Sequence, residues 1–250
     1  MTEALAEAKL AYEAPGVCPI CDSSTVFRAR YPWYRGHLRC ARCDSVPRER
    51  AVALVLEELV PHWRALRIHE SSPAGRGISL KMKKECGGYV ASQYFPDHPL
   101  GETVRAFRNE DLEHQTFEDA TFDIVVTLDV MEHVFHPWLV YQEVCRTLRP
   151  GGYYIHTFPI QNGRSIAYKA RAEIGVDGQI VHHEKPEFHG NPINKDGSLV
   201  TIDYGYDIHK AIQEWAPLFD VRLIRFCDAR HGILGEFTDT VICKKREVRP

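Results

Sequence analysis

The chain has 250 residues, 44% of them hydrophobic, and a formal net charge of −3. That length admits one α/β domain with an appendage or two small domains, with enough apolar residues for a real core. The slight acidity excludes a global pull toward nucleic acid, and no run approaches the roughly 18–20 uninterrupted apolar residues of a membrane span.

Met1–Ala14 is acidic and Ala-rich, without the basic-then-apolar order of a secretory signal, so residues 1–16 read as a frayed helix or disordered tail. Eight cysteines without such a signal argue against a disulfide framework and make the cytoplasm the default location. Cys18, Cys21, Cys40 and Cys43 form two C-x2-C knuckles with 18 residues between them. That spacing predicts a zinc ribbon over 17–46, and four thiolates leave no open coordination position, so the Zn2+ is structural. Cys86, Cys145, Cys227 and Cys243 are scattered and read as small buried hydrophobes.

Between Val17 and Arg50 seven arginines face three acids, with Tyr31, Trp33 and Tyr34 among them. Basic and aromatic residues together suit single-stranded RNA. The preferred reading is a solvated or domain-facing surface on a ribbon too small to have its own core. A linking helix follows over 47–62, with Ser45 as its cap, Pro47 in the first turn and Val52, Val55, Leu56, Leu59 and Val60 as its apolar stripe.

The segment 63–160 reads as alternating strands and helices. Leu66–Glu70 is a short strand ending in an acid, and Ser71–Gly77 is a turn of small residues before a helix over Ile78–Glu85, as in the first βα turn of a doubly wound sheet. Gly88–Gln93 and Val104–Arg108 are further strands. Phe122–Thr127 is apolar and β-branched, as a strand buried on both faces should be. Pro137 opens an amphipathic helix whose Tyr141, Val144, Cys145 and Leu148 share a face, and Tyr153–Phe158 returns as a strand. Residues 161–205 have little periodicity and are rich in Gly, Asn, His and Pro. In 206–244, Asp207 caps a helix and two strands follow, Val221–Phe226 and Thr238–Cys243; residues 245–250 are a tail.

Phe122–Asp123–Ile124–Val125, Asp129–Val130–Met131–Glu132–His133–Val134, Leu148–Arg149–Pro150–Gly151–Gly152 and Phe158–Pro159 together resemble the class I S-adenosylmethionine (SAM)-dependent methyltransferases. The resemblance implies an α/β, doubly wound, seven-stranded Rossmann-like sheet behind the small zinc ribbon. It implies SAM as cofactor, with Glu70 near its methionine end and Ser72, Gly75 and Gly77 shaping the loop. Gln93 stands near the place where the family has a ribose-binding acid, Asp111 and Leu112 at the adenine turn, and Asp129 after the fourth strand. Ser72 and Ala74 stand where glycine is common.

Asp129, Glu132 and His133 leave three readings open. His133 is a general base; or the three bind a divalent cation, as the similar stretch in quinone-pathway O-methyltransferases suggests; or the acids cap a helix and His133 packs under the SAM pocket, which is preferred. By resemblance 161–205 is a substrate lid, and His182, His183 and His189 within it are candidates for the active site. The function expected is methyl transfer to an oxygen or nitrogen of a small-molecule or glycan-type acceptor, without a membrane partner. The alternatives are an RNA methyltransferase reading through the ribbon and an inactive SAM-binding or scaffold protein.

Overall fold

The structure is a computed structural model and describes residues 10–161, 163–191 and 193–247. Residues 1–9 of the expected tail and 248–250 lie outside the described residues; the chain is already extended by Tyr12. β1 (Tyr12–Cys18), β2 (Ser23–Ala29) and β3 (Arg39–Cys40) form a three-stranded antiparallel sheet, so the ribbon begins before the first knuckle. A short helix, α1 (Tyr34–His37), lies between β2 and β3.

The linking helix α2 spans Pro47–Leu59. Its cap is not Ser45. The Val46 N–H donates to the Glu49 carboxylate at 2.9 Å, while the Ser45 hydroxyl lies 3.2–3.4 Å from the Cys43 and Cys18 sulfurs. A hydroxyl drawn to two sulfurs is lost to the helix end, and the third helical residue takes its place.

The core holds β4 (Arg67–Ser71), α3 (Gly77–Glu85), β5 (Gly88–Gln93), β6 (Thr103–Val104), β7 (Phe107–Asn109), β8 (Phe122–Leu128), α4 (Pro137–Thr147) and β9 (Leu148–Thr157). The expected strand Val104–Arg108 is instead a hairpin between β6 and β7. Arg105 and Ala106 have φ of +48° and +69°, a tight turn that neither residue type announces.

Residues 161–205 are not a structureless loop. β10 (Tyr168–Ala170) pairs with β15 (Ile202–Tyr204), β11 (Ala172–Ile174) with β12 (Ile180–His182), and β13 (Phe188–His189) with β14 (Ser198–Leu199). The chain ends with α5 (Ile208–Trp215) and the hairpin β16 (Phe219–Arg225) and β17 (Asp239–Lys245).

The main sheet has eight strands in the order β16-β17-β9-β8-β4-β5-β7-β6. The eighth, beyond the seven expected, is the two-residue edge strand β6. β9, β8, β4, β5 and β7 run parallel, and β17 closes antiparallel on β9. From β4 the chain crosses through α3 to β5 on one side, and β8 lies on the other. This reversal opens a crevice at the carboxyl ends of β4 and β8.

Alternation along the strands feeds two cores. Val125, Tyr154, Val241 and Cys243 pack under α4 and α5, while Ile124, Val126, Ile155 and Ile242 pack under α2, α3 and the ribbon's Phe27 and Leu38. Cys86, Cys145 and Cys243 are buried as expected, but Cys227 is exposed in the loop after β16. That loop, 226–238, folds back onto the ribbon. The Val17 N–H donates to the Arg230 carbonyl at 2.8 Å, and Gly232 lies so close on Phe27 that a Cβ there would fall 2.5 Å from the ring.

Candidate active site at the carboxyl edge of the sheet

β4 delivers Glu70 fully buried at the mouth of the crevice. Its carboxylate accepts from the Ser79 and Tyr89 hydroxyls, each at 2.6 Å, and burial pushes it up to about 7. Ser72 takes φ +55° where glycine is common, and its N–H donates to the Ser92 carbonyl at 2.9 Å. A Cβ at Gly75 would meet nothing within 4 Å, whereas Gly77, at φ +57°, is covered by Glu49 of α2. Gln93 ends β5, buried, and its carbonyl accepts from the Glu110 N–H. Asp111 accepts from the Glu113 N–H at 2.8 Å and is pushed up by burial; Leu112 is buried among Phe122 and Val125.

At the end of β8, Asp129 also has a positive φ, +56°. One carboxylate oxygen faces Arg35 of α1 at 2.7 Å and the other Arg48 of α2 at 2.8 Å. Burial opposes its charge, but the two guanidinium groups hold it below the ordinary carboxylate range. Arg35 also donates to the Phe237 carbonyl at 2.9 Å, and Arg48 to the Arg35 carbonyl at 3.1 Å. The N-terminal appendage thus reaches into the crevice. Sequence reasoning missed these two residues, because nothing local distinguishes them from their basic neighbours.

A 3-10 turn, Met131–His133, follows Asp129. The segment before α5 holds it in place: the Thr201 N–H donates to the Glu132 carbonyl at 2.8 Å, and the Tyr204 hydroxyl to the Met131 carbonyl at 2.9 Å. His133 Nδ1 lies 2.8 Å from the Leu199 carbonyl. A carbonyl only accepts, so Nδ1 carries a proton, and in the neutral ring the lone pair is on Nε2. Pairing of β13 with β14 sets His189 beside it, the two rings at right angles with centroids 5.3 Å apart. His189 Nδ1 is 3.6 Å from a Glu132 oxygen and its Nε2 is 3.5 Å from Glu187. Contact with Glu132, against burial, raises the His189 pKa.

Glu132 itself is 2% exposed, and neither carboxylate oxygen has a hydrogen-bond partner among the described residues. One ligand atom from each of Glu132, His133 and His189 lies within 4.8 Å of the others. The structure therefore joins His133 with His189. It leaves His182 and His183 exposed on the β11–β12 hairpin, where His183 faces Glu173 at 3.4 Å.

Residues 80–156 match the family model of a methyltransferase domain. That stretch, running from α3 to β9, is thus similar to a methyltransferase domain. The chain's fold is similar to a SAM-dependent methyltransferase from Mesorhizobium loti, with a TM-score of 0.51 at 14% identity over 78% of this chain and 98% of that one. It is similar to the same degree, TM-score 0.51 at 12% identity, to a methyltransferase solved in complex with the Haloferax volcanii Trm112 methyltransferase activator, over 81% of this chain and 92% of that one. No curated protein matches the sequence of this chain. No helix among its described residues is long and apolar enough to cross a membrane.

The crevice has room at the loop, where Gly75 is open, and at Asp129 two arginines meet a single carboxylate, so that corner carries net positive charge. The four ribbon sulfurs also converge, with Cys18 and Cys43 3.6 Å apart, Cys21 and Cys40 3.9 Å apart, and all four within 4.8 Å. A tetrahedral ion with Zn–S bonds of about 2.3 Å needs edges of roughly 3.8 Å. The hydrogen bond from Cys43 draws the Cys18 thiol down to about 4, while burial pushes Cys21 up to about 11.

Proposed function

We propose that this protein moves the SAM methyl group to an oxygen or nitrogen of a small-molecule or glycan-type acceptor seated between the sheet edge and the lid. The observation that carries the reading is the buried Glu132 carboxylate, without a hydrogen-bond partner among the described residues, beside Nε2 of His133 on the turn that follows β8. A polar group left bare inside a protein is costly unless a ligand completes it.

Glu70, Ser72, Gly75 and Gly77 cradle the methionine end of SAM, with Gln93 toward the ribose, Asp111 and Leu112 toward the adenine, and Asp129 presenting Arg35 and Arg48 to the carboxylate. SAM, when bound, supplies an electrophilic methyl on a sulfonium. The acceptor oxygen forms the new bond to carbon as the carbon–sulfur bond breaks, and that electron pair stays on sulfur as a thioether. The hydroxyl proton passes to His133 Nε2, whose tautomer is fixed by Leu199. Zn2+ on Cys18, Cys21, Cys40 and Cys43 is structural and keeps the ribbon, and so Arg35, in place.

The ribbon's arginines favour this reading over RNA. Arg35 and Arg48 turn to Asp129, and Arg50 is buried against carbonyls of the chain. The test is His133→Ala assayed with sugars and phenols as acceptors. Turnover should fall by about 100-fold or more while SAM affinity by calorimetry is retained. Unchanged turnover removes His133 from the chemistry, and absence of SAM binding by the parent chain rejects the whole reading.

A further inference from the structure

We infer that Glu132, His133 and His189 hold a divalent first-row transition-metal cation, and that the acceptor offers this cation two neighbouring oxygens. The inference deepens the function proposed above and rests on its placement of the acceptor.

The argument begins with Glu132, whose two bare oxygens are enclosed at 2% exposure. An ionised carboxylate so placed needs a positive charge in direct contact. His189 Nδ1 stands 3.6 Å away, beyond hydrogen-bond distance, and is shared with Glu187 on its other side. A cation between the two side chains would meet both.

His133 is prepared in the same sense. Its Nδ1–H is engaged by a backbone carbonyl, the arrangement that fixes the tautomer and raises the basicity of a metal-binding imidazole. The three ligand atoms already lie within 4.8 Å of one another. Ligands about 2.1 Å from one ion stand roughly 3–3.4 Å apart, so small side-chain rotations close the gap.

Two imidazoles and one carboxylate suit zinc, manganese, iron or cobalt better than magnesium or calcium, which prefer all-oxygen sets. Asp129 is not a fourth ligand, since Arg35 and Arg48 occupy its oxygens. Three protein ligands leave positions open, and an acceptor with vicinal hydroxyls, such as a catechol or a sugar diol, fills two of them. With the cation bound, His133 serves as its ligand in place of the base role given above, and the hydroxyl proton leaves the cation-polarised oxygen to solvent. His189 comes from the lid and the other two from the sheet edge, so the cation ties lid closure to acceptor binding.

The test adds Co2+ alone to the full chain with zinc already in the ribbon. Weak visible bands without sulfur-to-metal charge transfer should appear at one equivalent, and a catechol should shift them while a simple phenol does not. Glu132→Gln and His189→Ala should each weaken Co2+ binding by 10-fold or more while SAM affinity by calorimetry stays within about 3-fold. Absence of a second Co2+ site, or undiminished binding in Glu132→Gln, overturns the cation; an unshifted spectrum with catechol overturns the acceptor class. Co2+ binding in a chain that transfers no methyl group upholds the site and rejects the acceptor chemistry, so the two failures are told apart.

Discussion

Arg50 is the most informative single residue for how the appendage is attached. It is fully buried, with its guanidinium over the Phe27 ring at 4.6 Å. It donates to the Leu38 carbonyl at 2.9 Å, to the Gly232 carbonyl at 2.6 Å and to the Ser45 carbonyl. Burial draws its pKa down to about 10. Arg50→Met keeps much of the side-chain volume and leaves the Leu38 and Gly232 carbonyls without their donor, while the Ser45 carbonyl keeps the Cys40 N–H. At about 1–3 kcal/mol for each stranded group the loss is roughly 2–6 kcal/mol. Relief of part of the cost of burying a charge offsets some of it, leaving about 1–4 kcal/mol. Urea unfolding followed by tryptophan fluorescence measures the total, and amide exchange in 228–237 shows where protection is lost. A variant within about 1 kcal/mol of the parent, with that loop still protected, would refute the reasoning.

Arg48→Ala should weaken SAM about 10-fold in calorimetry while leaving decarboxylated SAM unaffected; an equal loss for both ligands would show that Arg48 only supports the fold. Gly77→Ala places a Cβ 2.2 Å from the Glu49 carboxylate at a residue with φ +57°, and should cost about 2–4 kcal/mol by thermal unfolding; a cost under 1 kcal/mol would mean that Glu49 simply moves aside. Glu70 has its pKa raised by burial from 4.5 to about 7, so between those values only the folded state holds the proton. The stability it contributes is present below pH 4.5 and fades as pH rises to 7, by roughly 3 kcal/mol in all. His69 and His156, held neutral by burial to about 3, slope the opposite way, so the parent is compared with Glu70→Gln and a flat difference between pH 4.5 and 7 would reject the assignment.

The β8–α4–β9 unit was legible in the sequence because the strand β8 and the start of α4 carry their own chemistry. A β-branched run and a proline at the first helical position need no tertiary knowledge, whereas the double glycine marks no boundary, since it lies inside β9, which begins at Leu148 rather than the expected Tyr153. The Arg105–Ala106 hairpin was not legible, since two ordinary residues adopt a positive φ there under tertiary constraint. Ser45 misled because its hydroxyl has two suitors, and the sulfurs assembled from distant knuckles take it. The ladders over the crevice escaped notice because strands of two or three residues are too short to show alternation. The neighbourhood of His133 and His189 follows from the register of one such ladder, Phe188 opposite Leu199. Spacing along the chain could place both histidines near the crevice but could not separate His189 from His182 and His183.

The clasp between Arg50 and Gly232 has a consequence for biosynthesis. The two residues are 182 positions apart, so one contact that fastens the ribbon comes from a stretch translated long after it. The ribbon can lay Phe27 and Leu38 on the sheet once β8 and β9 exist, yet Arg50 lacks one of its acceptors until the loop after β16 arrives. A message cut short before β16 would leave the Phe27 ring uncovered where Gly232 normally lies, and proteases would find that seam.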